Sequence, residues 1–339
     1  MAEPLRWGIM GTGNIARQFT AGLASSRRTR VVAAGSRTQA SAAAFAQQFG
    51  LSSAHSSYDA LLADRQVDAV YLSLPNSMHH EWTLKSLRAG KHVLCEKPFA
   101  TNVAQSQEMF DVAQKMGLVL VEAFMYRSHP QTQSVLDTIR GGAIGEVKLI
   151  KTSFCYRTSK IDQNIRFRAD LHGGAMMDIG CYCLSFARLI AGAEPDRIVA
   201  VGRMHPSGVD EAASGSLHFP NGISASFVCG MIVQADNTAS ICGTEGYIDI
   251  PWPWKPQRKA TYTVAQSTPP KQDAKPGTTP TRPPKQDFTV EADRELYALE
   301  ADDFAASVQD GAAPRVARED TLGNMRALDE VRRQIGLPY

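Results

Sequence analysis

The 339-residue chain lacks several things, and each absence excludes a class. No apolar run approaches the ~18 residues that a membrane-spanning helix requires, which argues against a membrane protein. Charge of one sign is missing: 36 Lys and Arg stand against 34 Asp and Glu. The net charge of +2 is too small for a nucleic-acid-binding surface. Cysteine is sparse, and Cys95, Cys155, Cys181, Cys183, Cys229 and Cys242 form neither C-x-x-C nor a zinc-ligand spacing. A disulfide framework is not expected in a chain this long, so the thiols read as reduced and the protein as cytoplasmic. No metal site is expected: His79 and His80 diverge on a helix and have no third ligand. The first residues show no leader pattern and reach a strand almost at once. What remains is a globular chain, long for one core, in which two domains are expected.

The strongest local signal is residues 7–16, an apolar strand, a glycine turn and the start of a helix, in the pattern G-x-G-x-x-A at Gly11, Gly13 and Ala16. Gly11 allows the tight turn, Gly13 admits a pyrophosphate to the backbone, and Ala16 lets the helix pack on the strand. The N–H groups around Thr12, Gly13, Asn14 and Ile15 then face the phosphates, with the helix dipole favouring negative charge. The next strand, 31–34, ends in Gly35-Ser36-Arg37. An NAD site usually carries Asp or Glu there for the ribose 2′-OH. Arg37 can instead bind a 2′-phosphate, so Ser36 and Arg37 predict NADP over NAD. The alternative for Arg37 is a solvated side chain beside a strand end.

Further strands are predicted at 67–74, 93–95 and 118–123, alternating with helices at 41–49, 58–62, 82–88 and 102–116. That alternation predicts a parallel sheet covered on both faces, a Rossmann domain over residues 1–125. In such sheets ligands sit beyond the carboxyl ends of the strands. Leu74, Pro75, Asn76 and His79 lie at one such end, Glu96 and Lys97 at another. His79 reads equally as a plain residue of a helix N-terminus.

From residue 147 the pattern changes to β-branched runs and turn signals, with strands at 147–156, 198–203, 212–219, 223–231, 238–243 and 246–250. This predicts a second, α+β domain over 126–339 with a large, mostly antiparallel open sheet, the last helix free to pack back on the first domain. A helix at 174–189 interrupts the strands and places Asp178 and Tyr182 on one face. Residues 251–287, rich in Pro, Lys, Thr and Gln, read as an exposed excursion with one strand at 260–264.

The glycine turn, Leu74-Pro75-Asn76 with His79, Glu96-Lys97-Pro98, the stretch from Glu122 to Arg127 and the stretch from Gly173 to Tyr182 together resemble the glucose-fructose oxidoreductase / inositol dehydrogenase (Gfo/Idh/MocA) family. The similarity runs along essentially the whole chain. It is greatest to the branch of NADP-dependent sugar dehydrogenases, glucose-fructose oxidoreductase and dimeric dihydrodiol dehydrogenases, which share a tyrosine where inositol dehydrogenases have histidine. The resemblance implies an NADP-dependent oxidoreductase acting on an aldopyranose such as D-xylose or D-glucose, or on a related cyclic alcohol. It implies Lys97, Asp178 and Tyr182 as catalytic residues, and Glu96, Lys97 and Arg127 among the cofactor contacts. Asp178 would orient the hydroxyl. Tyr182, its phenol lowered by the Lys97 ammonium, or Lys97 itself would carry the proton. Pocket-lining candidates are Arg127, Phe154, Arg166, Arg168 and His172, with Arg168 assigned to substrate. A homodimer or homotetramer through the second sheet is likewise implied, with no nucleic-acid or membrane partner. Two other readings remain at this point: a relative that retains its cofactor, and a non-enzymatic NADP sensor.

Overall fold

The computed structural model describes residues 3–267 and 283–337. Its first half runs β1 (Leu5–Met10), α1 (Asn14–Gly22), β2 (Thr29–Gly35), α2 (Gln39–Phe49), β3 (Ser53–His55), α3 (Tyr58–Ala63), β4 (Ala69–Leu72), α4 (His79–Arg88), β5 (His92–Glu96), α5 (Val103–Met116) and β6 (Leu120–Ala123). The six strands form one parallel sheet in the order β3-β2-β1-β4-β5-β6. The order reverses at β1, which puts the crevice beyond the ends of β1 and β4. Local chemistry agrees with each boundary. The Asn102 side chain caps α5 by accepting from Gln105 N, and that of Thr38 caps α2 by accepting from Ser41 N. Trp7, Ile9, Val70 and Tyr71 are buried because this sheet is covered on both faces.

The second half contains α6 (Pro130–Arg140), β7 (Val147–Cys155), α7 (Cys181–Ala191), β8 (Arg197–Met204), β9 (Asp210–His218), β10 (Ser224–Gly230), β11 (Ala239–Gly243), β12 (Gly246–Ile250), β13 (Lys259–Gln266), β14 (Lys285–Glu291), α8 (Leu296–Asp310) and α9 (Arg318–Gln334). Its eight strands lie in the order β14-β13-β12-β11-β7-β10-β9-β8, antiparallel except for β7 with β10. Helix α7 covers one face of this sheet at β7 and β10. Helix α9 packs between α7 and α5, and α8 packs on α1, so the end of the chain ties the two sheets together. The stretch 169–191 is long and apolar enough in composition to cross a bilayer, contrary to the sequence reading, but it is mostly buried inside the protein. Its hydropathy is that of a core helix.

Two strands escaped the sequence pattern. β3 has only three residues, too few to show alternation. β14 falls partly within the excursion read at 251–287. It is an edge strand whose Lys285, Gln286, Asp287 and Glu291 are exposed, while Phe288 stacks on Tyr262 at 5.1 Å. Charge on an edge strand blocks pairing with other chains, and that same charge hides the strand from a hydrophobicity reading. Residues 268–282 of the excursion lie outside the described residues.

Candidate active site

At the end of β1, Gly11 takes φ +94°, and a Cβ there would lie 3.0 Å from the Ser73 carbonyl oxygen. Both facts demand glycine. Gly13 is exposed, and a Cβ built on it meets nothing within 4 Å. It borders open space in front of α1. No side chain caps α1 and its first turn carries no acid, so its leading N–H groups face that space. An open cradle before an uncapped helix N-terminus fits a dinucleotide diphosphate. At the end of β2, Ser36 is buried with its Oγ 3.4 Å from Thr12 Oγ1, and Arg37 is exposed.

The loop after β4 is held from inside. His79 is fully buried, its Nε2 2.9 Å from the Leu74 oxygen and its Nδ1 2.9 Å from the Pro98 oxygen. This corrects the reading of His79 as a cofactor contact: its ring joins the loops after β4 and β5 to each other. Asn76 Nδ2 donates to the His172 carbonyl oxygen at 2.7 Å, linking that loop to the segment before α7. The Glu96 side chain is likewise held from inside. It is buried, receives the Tyr71 hydroxyl on Oε1 and the Lys97 N–H on Oε2 at 3.2 Å, and burial pushes its carboxyl up. It buttresses the turn that presents Lys97.

Lys97 crosses to the second half of the chain. Its Nζ donates to the Asp178 carbonyl oxygen at 2.6 Å and to Asp178 Oδ1 at 3.2 Å. It also stands over the Tyr182 ring, 5.1 Å from the centroid, within cation–π range. Asp178 Oδ2 accepts from the Tyr156 hydroxyl at 2.7 Å and pairs with Arg166 Nε at 2.7 Å. Burial opposes its charge, but Lys97, Arg166 and Tyr156 outweigh burial and hold the carboxyl well below the usual carboxylate range. Burial likewise opposes the Lys97 ammonium, and Asp178, Cys181 and Glu96 together outweigh it, so the amine sits above its ordinary value. Lys97 is therefore a protonated donor at neutral pH.

Asp178 lies in a widened, π-type turn, Met176–Gly180, that leads into α7. Such turns cluster at functional sites because they re-aim side chains. The i, i+4 relation read from the sequence is altered accordingly. Asp178 points to the cations, whereas the Tyr182 hydroxyl reaches the Met125 sulfur at 3.4 Å. Tyr182 is buried among Phe124, Tyr126, Phe154 and Trp254, with ring centroids 5.1, 6.1, 5.4 and 6.2 Å away. Burial, with Glu96 next, holds its phenol well above the ordinary value. This corrects the expectation of a lowered phenol: the ammonium lies over the ring face while the oxygen sits in an apolar pocket.

Two arginines also change role. Arg168 is exposed and pairs with Asp170, with Nε 2.8 Å from Oδ1, so it is not directed at the Lys97–Asp178 cluster. Arg166, two residues earlier, reaches that cluster. Arg127 Nη1 pairs with Asp320 Oδ2 at 2.7 Å, and its Nη2 donates to the Arg315 carbonyl oxygen. It fastens the chain after β6 to α9. Sequence reasoning missed Tyr156 and Trp254, which no motif or spacing marks. Trp254 Nε1 donates to the Ser153 oxygen at 2.8 Å, so its placement depends on the sheet itself.

A dinucleotide cradle at one strand end of the first sheet, with a lysine at another that meets a carboxylate and a tyrosine from the second half, defines a nicotinamide-dependent oxidoreductase. The chain belongs to the Gfo/Idh/MocA family: residues 5–124 match its oxidoreductase, NAD-binding Rossmann domain and residues 132–249 match its C-terminal domain. Among curated relatives it is 36% identical to mouse trans-1,2-dihydrobenzene-1,2-diol dehydrogenase over 78% of this chain and 80% of that one. It is 32% identical to D-xylose 1-dehydrogenase (NADP(+)) 2 of Haloferax volcanii over 96% of each. Among solved structures it superposes with TM-score 0.87 on KijD10, a 3-ketoreductase from Actinomadura kijaniata in complex with NADP and TDP-benzene, 32% identical over 98% of each chain. Structures of that ketoreductase include variants of one lysine and one tyrosine.

Proposed function

We propose that this protein transfers a hydride between NADP and the ring carbon of an aldopyranose such as D-xylose or D-glucose. The observation that carries the reading is Lys97: a protonated amine from the nucleotide sheet that meets Asp178 and the Tyr182 ring from the second half. Oxidising an alcohol removes a hydride and a proton, and a bound NADP supplies the hydride acceptor. The chain's own residues handle the oxygen. Lys97 holds it and exchanges the proton, as donor when a carbonyl is reduced and, after losing its proton, as acceptor when an alcohol is oxidised. Asp178 keeps Lys97 charged and orients the hydroxyl. Tyr182, with its raised phenol, is a poor base at neutral pH and serves as a hydrogen-bonding partner of the substrate.

Preference for NADP is supported by the end of β2, where Gly35-Ser36-Arg37-Thr38 offers a hydroxyl and a guanidinium and no carboxylate. A second substrate reading, a trans-dihydrodiol, is favoured by the wall of Phe124, Phe154 and Trp254 around Tyr182, which suits a flat apolar ring. A panel of aldoses and dihydrodiols with NADP and NAD, followed by nicotinamide absorbance, tests the proposal, and no turnover of either class would overturn it. Tyr182→Phe is expected to lower kcat ~10²-fold with unchanged NADP affinity. A loss as large as that from removing the Lys97 amine would return the proton to Tyr182.

Assembly through the outer face of the second sheet completes the reading. Val201, Ser214 and Val228 align across β8, β9 and β10, as do Val199, Ser216 and Ser226. Val199 and Val201 are 52% and 67% exposed, a wide apolar surface to leave in water. Light scattering should report a dimer or tetramer, and Val201→Glu should shift it toward monomer. A monomeric wild type would remove the assembly.

A further inference from the structure

Lys255 reaches the nucleotide sheet from the loop 251–257, between β12 and β13. Three prolines, Pro251, Pro253 and Pro256, stiffen that loop, and buried Trp254 pins it to β7 through the Ser153 oxygen. Lys255 itself is exposed. Its Nζ donates to Gln18 Oε1 on α1 and stands 5.7 Å from the Tyr297 ring centroid. Among the described residues it makes no salt bridge, although the charges of Glu96 and Lys97 act on it through space. Gln18 lies four residues after Asn14, one helical turn on the same face, and helical side chains lean toward the helix N-terminus. Gln18, which the ammonium meets, therefore stands one helical turn behind the first residue of α1, with its side chain leaning toward the uncapped N–H groups.

A lysine on a rigid, anchored loop, exposed, without a salt bridge and held by a neutral amide of α1 is poised for an anion. The anion this cradle fits is a dinucleotide diphosphate. We propose that Lys255 is a cofactor-binding residue contributed by the second half of the chain, its flexible side chain exchanging Gln18 for the diphosphate while the anchored loop stays in place. The inference rests on dinucleotide binding at the Gly11–Ala16 turn, and is independent of the choice between NADP and NAD. A contact from the opposite half slows cofactor release, because the ammonium must let go of the diphosphate before the dinucleotide leaves.

Calorimetric titration of the full-length chain with NADP, NAD, ADP-ribose and 2′-AMP tests this directly. Lys255→Met should weaken the three diphosphates by a common factor, about tenfold or more, because a charge-assisted hydrogen bond is lost. It should leave 2′-AMP, which has no diphosphate, unchanged. Lys255→Arg should restore most of the affinity, and stopped-flow release of NADP should quicken in Lys255→Met. Lys255→Gln, which keeps a polar side chain, should repeat the methionine result, because both variants remove the charge. Wild-type affinity in both variants, or a lowered melting temperature with affinity intact, would overturn the assignment and leave a structural strap. Weakening confined to NADP would move Lys255 to the 2′-phosphate and overturn it as well. A wild-type chain that binds no dinucleotide would instead overturn the cofactor reading, and this assignment with it.

Discussion

Lys97→Met is expected to lower kcat by about 10⁴-fold, because in the proposed mechanism it removes both the proton carrier and the cation that holds the developing charge on oxygen. Binary affinity for NADP should be nearly unchanged, since the methionine keeps the length of the stem and the cradle lies at another strand end. The variant should also fold. Losing one partner of a buried charge commonly costs about 3–5 kcal/mol when the charge is left alone. Asp178 is not left alone, because Arg166 Nε and the Tyr156 hydroxyl remain on Oδ2 at 2.7 Å each. Single-turnover kinetics separate the chemical step from binding and release. The pH profile adds an independent readout. Carbonyl reduction by the wild type uses the ammonium, so its rate should fall as pH rises through the raised Lys97 value, and Lys97→Met should lose that alkaline limb. Turnover that survives the substitution would take Lys97 out of the chemistry.

The comparison of sequence with structure has a physical pattern. Elements that announce themselves by caps, glycine stops and periodicity were legible: α5 between Asn102 and Gly117, the glycine turn before α1, and the strand–helix alternation that yields the parallel sheet. β14 was not, because an edge strand is kept polar and Lys285, Gln286 and Asp287 look like loop. At the site, residue types were legible and directions were not. Spacing puts Asp178 and Tyr182 on one helical face, but it cannot show a π-type turn that sends the carboxylate to Lys97 and the phenol to Met125. Arg166 and Arg168 differ by two positions in one segment. Only the folded backbone decides that the first meets Asp178 and the second Asp170. Tyr156 and Lys255 reach in from just past β7 and from the loop after β12, far in sequence from the groups they meet. Contacts of that kind leave no spacing to read.

Arg37→Asp is expected to invert the cofactor preference, lowering kcat/KM for NADP relative to NAD by about 10³-fold. Two effects add. The substitution removes a guanidinium fork suited to a 2′-phosphate, and it places a carboxylate where that phosphate would sit. The same carboxylate supplies the acceptor that an NAD site uses for the ribose 2′-OH, so NAD should gain while NADP loses. Arg37 is exposed and pairs with no acid among the described residues, so the change breaks no interaction that the fold depends on. The neighbouring groups hold their places without it: Ser36 N donates to the His55 oxygen, and Thr38 caps α2. Exposure also sets the salt dependence. A contact between a surface guanidinium and a phosphate is screened over the ~8 Å Debye length of physiological buffer. Wild-type affinity for NADP should therefore fall as ionic strength rises, and the variant should lose that part of the slope. Steady-state kinetics with both dinucleotides at two salt concentrations measure the preference and the slope together. An NADP affinity unaltered by Arg37→Asp would assign the 2′-phosphate to another group and leave Arg37 as a solvated side chain at a strand end.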